Sequence, residues 1–377
     1  MEVTFRLGNG YMMKKYVRRL LNEKIILPLR KSKLLHSAKY KDLVKTKGKK
    51  RFLLLNTPLH GNLGDQAITL AEEKFIKERF EGNICHIFSH IDISLAMEEI
   101  ERNCDPKQDT ILINGGGYIG TLWQREEDMI IRIFNQFSDY RIVIFPQTVF
   151  FEESEYGEKE LSKICDALTK CKDITIFARD RKSYEFIQNK MLMENVKTFL
   201  VPDIVTYYSG DFMKSKHRKQ RIIACFRKDK ERNVEMSIVK NIIEQLEEQG
   251  YEIVYTDTVI NEKIYPQTVK DNVDKKIYEF SEAKLVITDR LHGMLFSTIA
   301  STPCLAFDNV SMKVSGCYNE WLNKLGYIVN VQYDKVDEKQ LYDTVYKLLD
   351  IKESKYNNAC FEEYYTLIQR VISEKSS

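Results

Sequence analysis

The sequence predicts an α/β protein with two doubly wound domains, each built on a parallel sheet between layers of helices. Three observations support this fold class. Short apolar runs alternate with stretches of helical periodicity, a polar and basic stretch at residues 211–221 interrupts the alternation once, and 377 residues suffice for two domains of ordinary size. Strands that are apolar on both faces are typical of parallel sheets buried between helices.

Six apolar runs predict the strands of the first domain, and helical spacing predicts helices at 67–80 and 124–137. The runs are residues 52–55, 84–88, 110–113, 142–145, 174–177 and 198–201. Most of them end at polar residues, proline or glycine. This pattern indicates a Rossmann-like domain.

The alternation resumes after the polar stretch, with strands predicted at 221–226, 251–255, 285–288 and 304–307. Helices are predicted at 234–249, 269–283, 291–301, 338–349 and 357–373. We therefore predict a basic N-terminal segment (1–50), two Rossmann-like domains (51–210 and 218–332) that face each other across a cleft, and C-terminal helices (333–377). Residues 211–221 are interpreted as the interdomain linker.

The charge is unevenly distributed along the chain. Residues 1–51 contain 16 Lys and Arg against three acidic residues, a local net charge of +13, whereas the whole chain carries +3 and the rest is therefore at −10. Apolar residues interleave with these cations at helical spacing and predict an amphipathic helix that Pro28 stops or kinks. They are Tyr16, Val17, Leu20, Leu21, Ile25 and Ile26. Two interpretations stay open: an arm that only solubilises the protein, or a segment attracted to an anionic surface.

Several classes of protein are disfavoured by the sequence. The eight cysteines form no C-x-x-C pair, which is typical of reduced thiols in the cytoplasm. We find no signal peptide and no apolar run long enough to cross a bilayer. The cluster of Cys85, His86 and His90 lies on and beside a predicted strand without metal-ligand spacing, so no metal site is expected.

Polar and glycine residues follow several strands of the first domain, where open α/β sheets bind ligands. Gly115 to Gly120 matches G-x-G-x-x-G, but it follows the third strand and no acidic residue ends the next, so close backbone approach is favoured over a dinucleotide site. Asp65 opens a helix, and an N-cap role is its alternative interpretation. The candidate acceptor and cleft residues are Asn62, Gly64, Asp65, Gly115, Gly116, Gly117, Arg179 and Asp203.

The strongest candidate site lies in the second domain, where a strand runs into a helix at Arg290, Leu291, His292 and Gly293. A helix N-terminus and an arginine fork both favour an anion, and a histidine there can give or take a proton. Arg227 and Lys228 end another strand of the same sheet and should face the same crevice. Three cations and a histidine predict a substrate with several negative charges.

The ordered set of motifs resembles the polysaccharide pyruvyl transferase family over about residues 51–330. The set is residues 61–65, the glycines at 115–117, Arg179-Asp180 followed by Ser183, Pro202-Asp203, and residues 289–293 followed by Thr302-Pro303. The resemblance implies a GT-B-like pair of domains. It also implies transfer of pyruvate from phosphoenolpyruvate to a sugar of an exopolysaccharide, capsule or cell-wall glycan, with a cyclic ketal as the product. The family's donor-binding arginines and its histidine correspond to Arg227, Arg290 and His292, and His292 is then the proton donor. The candidate donor-binding residues are Arg290, Arg227, Lys228, Leu291 and Gly293. Either Asp65 or Asp203 is a candidate to receive the hydroxyl proton.

The resemblance implies phosphoenolpyruvate as a co-substrate and no further cofactor. The implied partner is a sugar acceptor, and whether it is lipid-linked or polymeric stays open. The charge of residues 1–50, which lie outside the resemblance, predicts contact with an anionic membrane surface from the cytoplasm, and nucleic acid is not expected. A polyprenyl phosphate is the lipid carrier that fits. Two alternatives stay open: a nucleotide-sugar glycosyltransferase, and a catalytically silent glycan-binding protein.

Overall fold

The computed structural model describes residues 21–208, 217–229, 236–261, 265–332 and 338–374. Within these ranges, twelve strands form two sheets whose pairings between named strands are all parallel. The prediction of two Rossmann-like domains of the GT-B-like kind is confirmed. The predicted domain boundaries stay predictions, and residues 211–216 of the predicted linker lie outside the described residues.

The first sheet has the strand order β2-β1-β3-β5-β6-β7, and β4 also pairs with β5. Its strands are β1 (Arg51–Thr57), β2 (Ile84–Ser89), β3 (Asp109–Ile113), β4 (Gly116–Gly120), β5 (Arg141–Phe150), β6 (Asp173–Ala178) and β7 (Val196–Leu200). The helices that precede or cover it are α1 (Leu27–Leu35), α2 (Ala38–Lys45), α3 (Leu63–Arg79), α4 (His90–Glu101), α5 (Gln124–Gln136), α6 (Glu155–Leu168) and α7 (Arg181–Lys190).

The second sheet has the order β12-β11-β10-β8-β9. Its strands are β8 (Arg221–Cys225), β9 (Glu252–Thr256), β10 (Leu285–Thr288), β11 (Cys304–Phe307) and β12 (Ile328–Val331). The helices are α8 (Met236–Glu248), α9 (Val269–Ser281), α10 (Leu291–Ile299), α11 (Lys313–Cys317), α12 (Glu338–Leu349) and α13 (Glu362–Ser373). One cluster of buried apolar side chains is continuous between the two sheets, and the outer face of each sheet has a cluster of its own.

Three strands differ from the prediction: β4 and β12 were not predicted, and β5 is longer than predicted. The sequence suggests that a strand ends at Pro146, but β5 continues to Phe150 because Gly116–Gly120 forms β4 and pairs with the extension. Pro146 falls where the pairing of β5 with β6 shifts register, between Ile144 and Gln147. Proline lacks a backbone donor, and such an irregularity is a place where a sheet tolerates it.

The C-terminal helix α13 returns to the first sheet. The Arg141 guanidinium donates to the Val371 carbonyl at 2.5 Å, and the buried Tyr365 hydroxyl donates to Thr206 at 2.9 Å. At the surface, Arg79 pairs with Glu362 at 2.6 Å. The chain therefore crosses between the two halves a second time.

Two helices precede the first strand, and α1 continues a π-helical turn at Asn22–Ile26. Pro28 lies in the first turn of α1 with helical residues on both sides, so it does not stop the helix, and the alternative that it kinks the helix stays a prediction. Proline is compatible with this position because its missing donor is not needed in a first turn. Tyr16, Val17 and Leu20 of the predicted stripe lie outside the described residues. None of the described helices is long and apolar enough to cross a membrane.

Candidate active site

The two halves meet through the loop that follows β1. The Leu63 backbone donates to the Thr258 carbonyl at 2.8 Å, and the Ile260 backbone donates to the Gly61 carbonyl at 2.8 Å. A Cβ on Gly61 would lie 1.9 Å from the Ile260 carbonyl oxygen. Glycine is therefore required here for the approach of the two backbones.

Asn62, not Asp65, caps helix α3. The Asn62 side chain accepts from the Gly64 backbone at 3.1 Å and donates to the Asp65 carboxylate at 2.7 Å. The N-cap interpretation of Asp65 is thus wrong. Its carboxylate lies in the first helical turn, 3.7 Å from the His60 imidazole, and the side chain is partly exposed. The Asp65 carboxylate is therefore accessible to solvent, and it is near enough to His292 to raise the pKa of the imidazole.

The predicted loop residue Gly64 packs directly on the predicted catalytic residue His292. A Cβ on Gly64 would fall 2.2 Å from His292 Nδ1. The motif after β1 and the motif after β10 are therefore in contact, although more than 200 positions separate them in the sequence. Any larger residue at position 64 would displace the imidazole.

His292 lies in the first turn of α10 and is buried against residues of the first half. Its Nε2 is 3.8 Å from the Asp203 carboxylate and has no hydrogen-bond partner among the described residues. Burial lowers the pKa of His292 to about 4, and Arg179 lowers it too, while Asp203 and Asp65 raise it. The imidazole is therefore neutral at pH 7.

Arg179 holds Asp203 in place beside the imidazole. Its Nη1 donates to the Asp203 carboxylate at 2.7 Å and its Nε donates to the Thr148 hydroxyl at 2.8 Å, and all three residues are buried. A Cβ on Gly117 would lie 2.9 Å from Arg179 Nη2. Gly117 thus makes room for this guanidinium, and Arg179 is committed to a carboxylate of its own chain.

The other two glycines of the loop pack against different groups, and Gly115 borders a buried carboxyl group. The Gly115 backbone donates to Glu72 at 2.7 Å, while the second oxygen of Glu72 has no hydrogen-bond partner among the described residues. Burial raises the pKa of Glu72 well above its usual range. Gly116 has a φ of +152°, and a Cβ on it would lie 2.9 Å from the Tyr118 ring. The loop is shaped by close packing, as the sequence predicts.

The arginines of the second half form a separate cluster with two carboxylates. Arg227 contacts both oxygens of Asp229, at 2.7 and 3.1 Å. Arg290 Nη1 lies 3.3 Å from the same carboxylate, and its Nη2 contacts Asp257 at 2.8 Å. Both arginines are buried, whereas Lys228 is exposed. Asp229 therefore bridges the two guanidinium groups.

The remaining residues of the turn support its shape. Leu291 is buried in the core shared by the two sheets. A Cβ on Gly293 would lie 2.3 Å from the Thr288 hydroxyl oxygen, which accepts from the Arg290 backbone at 3.0 Å. These two residues position their neighbours and have no free polar side chain of their own.

The sequence analysis missed the carboxylates at Asp229 and Asp257. Both were visible as residues that closely follow predicted strands, Asp229 two positions after Arg227 and Asp257 directly after β9. The described residues contain no group of three or more His, Cys, Asp or Glu side chains placed to hold a metal ion.

Comparison with known proteins now gives the family. The model of the family described as polysaccharide pyruvyl transferase matches residues 62–311, which include the contact of Gly64 with His292 and the arginine cluster. The chain belongs to this family.

Two relatives align with most of the chain. General stress protein 30 of Bacillus subtilis is 32% identical over 317 residues, covering 80% of this chain and 86% of the relative. Pyruvyl transferase 1 of Schizosaccharomyces pombe is 25% identical and covers 77% and 75%. Among solved structures, an uncharacterized protein of Klebsiella pneumoniae has a TM-score of 0.51 at 20% identity, covering 78% of this chain and 97% of the other, which shows a shared fold.

Proposed function

We propose that this transferase moves pyruvate from phosphoenolpyruvate to a sugar of a polysaccharide or its precursor, releases phosphate and leaves a cyclic ketal. The observation that carries the proposal is the pair of buried arginines, Arg227 and Arg290, bridged by one carboxylate next to the turn that presents His292. Membership of the family supports pyruvyl transfer, and this pair gives the donor's anionic groups a place to bind.

The donor has the charge that this cluster suits. Phosphoenolpyruvate carries a carboxylate and a phosphate, and guanidinium groups bind both in a bidentate manner. Asp229 contacts the guanidinium groups of both Arg227 and Arg290. We propose that the donor replaces Asp229 there, while Asp257 keeps hold of Arg290. We propose that Lys228, which is exposed and adjacent to Arg227 in the sequence, attracts the donor.

The reaction needs a proton on carbon. Protonation of the donor's methylene carbon makes the adjacent carbon electrophilic, and a sugar hydroxyl then adds to it. Loss of phosphate and attack by a second hydroxyl close the ketal, so that one hydroxyl proton replaces the proton given to carbon and the other leaves with phosphate. We propose that His292 gives this proton to the methylene carbon. Because burial keeps the imidazole neutral, the negative charges of bound phosphoenolpyruvate must first raise its pKa.

A base must also receive a hydroxyl proton. Asp203 pairs with Arg179 and is almost fully buried. Asp65 is partly exposed, accepts from Asn62 at 2.7 Å and lies 3.7 Å from the His60 imidazole. Asp65 is therefore our candidate for the base. Asp203 instead lies beside the His292 imidazole and raises its pKa. Asn62 and the loop of Gly115, Gly116 and Gly117 lie on the acceptor's side of the site in this proposal.

No metal ion or further cofactor takes part in this proposal. All eight cysteines, which lie in the described residues, are free thiols. A reducing compartment suits such a protein, so we place the reaction in the cytoplasm.

The test measures phosphate release from phosphoenolpyruvate with a panel of glycan acceptors. We expect release that depends on both substrates, and a ketal methyl signal in the NMR spectrum of the product. Consumption of a nucleotide sugar, with no release from phosphoenolpyruvate, would instead identify a glycosyltransferase. Failure of every donor, with glycan binding retained, would identify a silent binding protein.

A further inference from the structure

An exposed apolar stripe lies on the N-terminal helical segment. Leu21, Ile25 and Leu29 follow one another at intervals of four residues and are 48%, 50% and 65% exposed. Ile26 and Leu27 are exposed too, and no residue from 21 to 30 is buried. Leu21 and Ile25 therefore face solvent and do not pack on the body of the protein.

The following helical turns are fixed to the first domain. Leu34 and Leu43 are buried, Lys31 pairs with Glu99 at 2.5 Å and Lys39 pairs with Asp92 at 2.5 Å. Because these contacts anchor the segment after Arg30, the exposed stripe is held in place next to the body of the protein. A fixed apolar surface of this kind is typical of a docking site.

The charges around the stripe favour one kind of partner. Lys24, Arg30 and Lys33 are exposed beside it, and Glu23 is the one acidic residue in the sequence from 21 to 41. A helix with exposed leucine and isoleucine among cations suits an anionic lipid surface, where the apolar side chains enter the headgroup region and the cations contact phosphate. A second copy of the same helix would bring like charges together.

We propose that residues 21–33 dock this protein on an anionic membrane surface. The segment binds as a peripheral helix, with Leu21, Ile25 and Leu29 as the inserted side chains. This inference stands apart from the proposed reaction, because it uses none of the residues around His292. It would bring the enzyme to acceptors that are attached to a lipid carrier such as a polyprenyl phosphate.

The experiment is flotation of the full-length protein with vesicles of phosphatidylcholine alone or with added phosphatidylglycerol. We expect binding only to the anionic vesicles and a steep loss with added salt. Ile25→Ser/Leu29→Ser should reduce binding about tenfold or more. The matched control is Leu192→Ser/Tyr278→Ser, which removes apolar side chains of similar exposure elsewhere and should bind as the unchanged protein does.

Charge is tested separately. Lys24→Glu/Arg30→Glu should abolish binding at low salt, whereas Lys190→Glu, also at an exposed position, should leave it nearly unchanged. Thermal unfolding of each variant checks that it folds. Equal flotation of the stripe variant and its control, or no binding of the unchanged protein at low salt, would overturn the proposal. Self-association that the stripe variant loses would show that a second copy covers the stripe instead.

Discussion

Arg290 and His292 lie two residues apart at one turn, yet their side chains have opposite electrostatic surroundings. Arg290 stays in the second half and faces Asp229 and Asp257. His292 crosses to the first half, where it is buried against Gly64 and 3.8 Å from Asp203. The positive charge of Arg290 is balanced by two carboxylates, whereas burial disfavours a positive charge on the His292 imidazole. The turn therefore joins a binding region to a region whose protonation depends on what is bound.

Removal of the imidazole should have the largest effect. We expect His292→Ala to lower the rate of phosphate release about 10²–10⁴-fold, because a general acid is lost, and to leave donor binding nearly intact. An acceptor-dependent phosphate assay and calorimetry with phosphoenolpyruvate measure the two. His36→Ala, at an exposed histidine, is the control. A rate within about threefold of the unchanged protein would remove His292 from the chemistry.

The buried imidazole should also make stability depend on pH. The pKa of His292 is about 4 in the folded protein, compared with an ordinary value of 6.5. Between these two pH values the unfolded chain binds a proton at His292 and the folded protein does not. The free energy of unfolding therefore falls as pH drops from about 6.5 to about 4, by up to about 3 kcal/mol from this group. Urea denaturation across this range should show a smaller fall for His292→Gln than for the unchanged protein. An identical fall of the free energy of unfolding in both proteins would mean that the pKa of His292 is not lowered by burial.

Next in size is the loss of the arginine fork. Arg290→Lys keeps the charge but removes the planar guanidinium that binds a carboxylate or phosphate through two parallel hydrogen bonds. We expect donor affinity to fall about tenfold, by calorimetry, with little change in fold. Arg102→Lys, at an exposed surface pair, should change nothing. Unchanged affinity in Arg290→Lys would show that the donor binds elsewhere.

The smallest effect concerns the carboxylate that bridges the arginines. If Asp229 competes with the donor for the forks of Arg227 and Arg290, then Asp229→Asn should raise donor affinity about threefold to tenfold. Asp257→Asn is the informative comparison, because Asp257 contacts only Arg290 of the two and should hold it for the donor. A loss of affinity in Asp229→Asn would assign Asp229 to positioning the arginines.

The sequence predicts the fold well because buried parallel strands are apolar throughout, as residues 52–55 and 285–288 show. It misses β4, whose glycines have little tendency to form a strand and become one only by pairing with β5 beyond Pro146. Short strand β12 at Ile328–Val331 was missed as well. These elements depend on neighbours that are far away in the sequence.

The candidate site shows the same division. Backbone motifs predict that the loop after β1 and the turn after β10 converge, and the contact of Gly64 with His292 agrees with this. The partners of the side chains could not be predicted, since Arg179 could equally have faced an anion as Asp203. Nor does any pattern reveal that burial makes His292 neutral. Both follow from the packing of the two halves.

The return of helix α13 has a consequence for how the protein is made. Tyr365, Ile368 and Val371 belong to the same buried cluster as Phe75 and Phe145, which are synthesised more than 200 residues earlier. While the ribosome is still translating the second half, the apolar surface that receives α13 stays uncovered, and the Arg141 guanidinium lacks the Val371 carbonyl. The first half therefore completes its folding only after almost the whole chain has emerged, and until then it presents an aggregation-prone surface to chaperones.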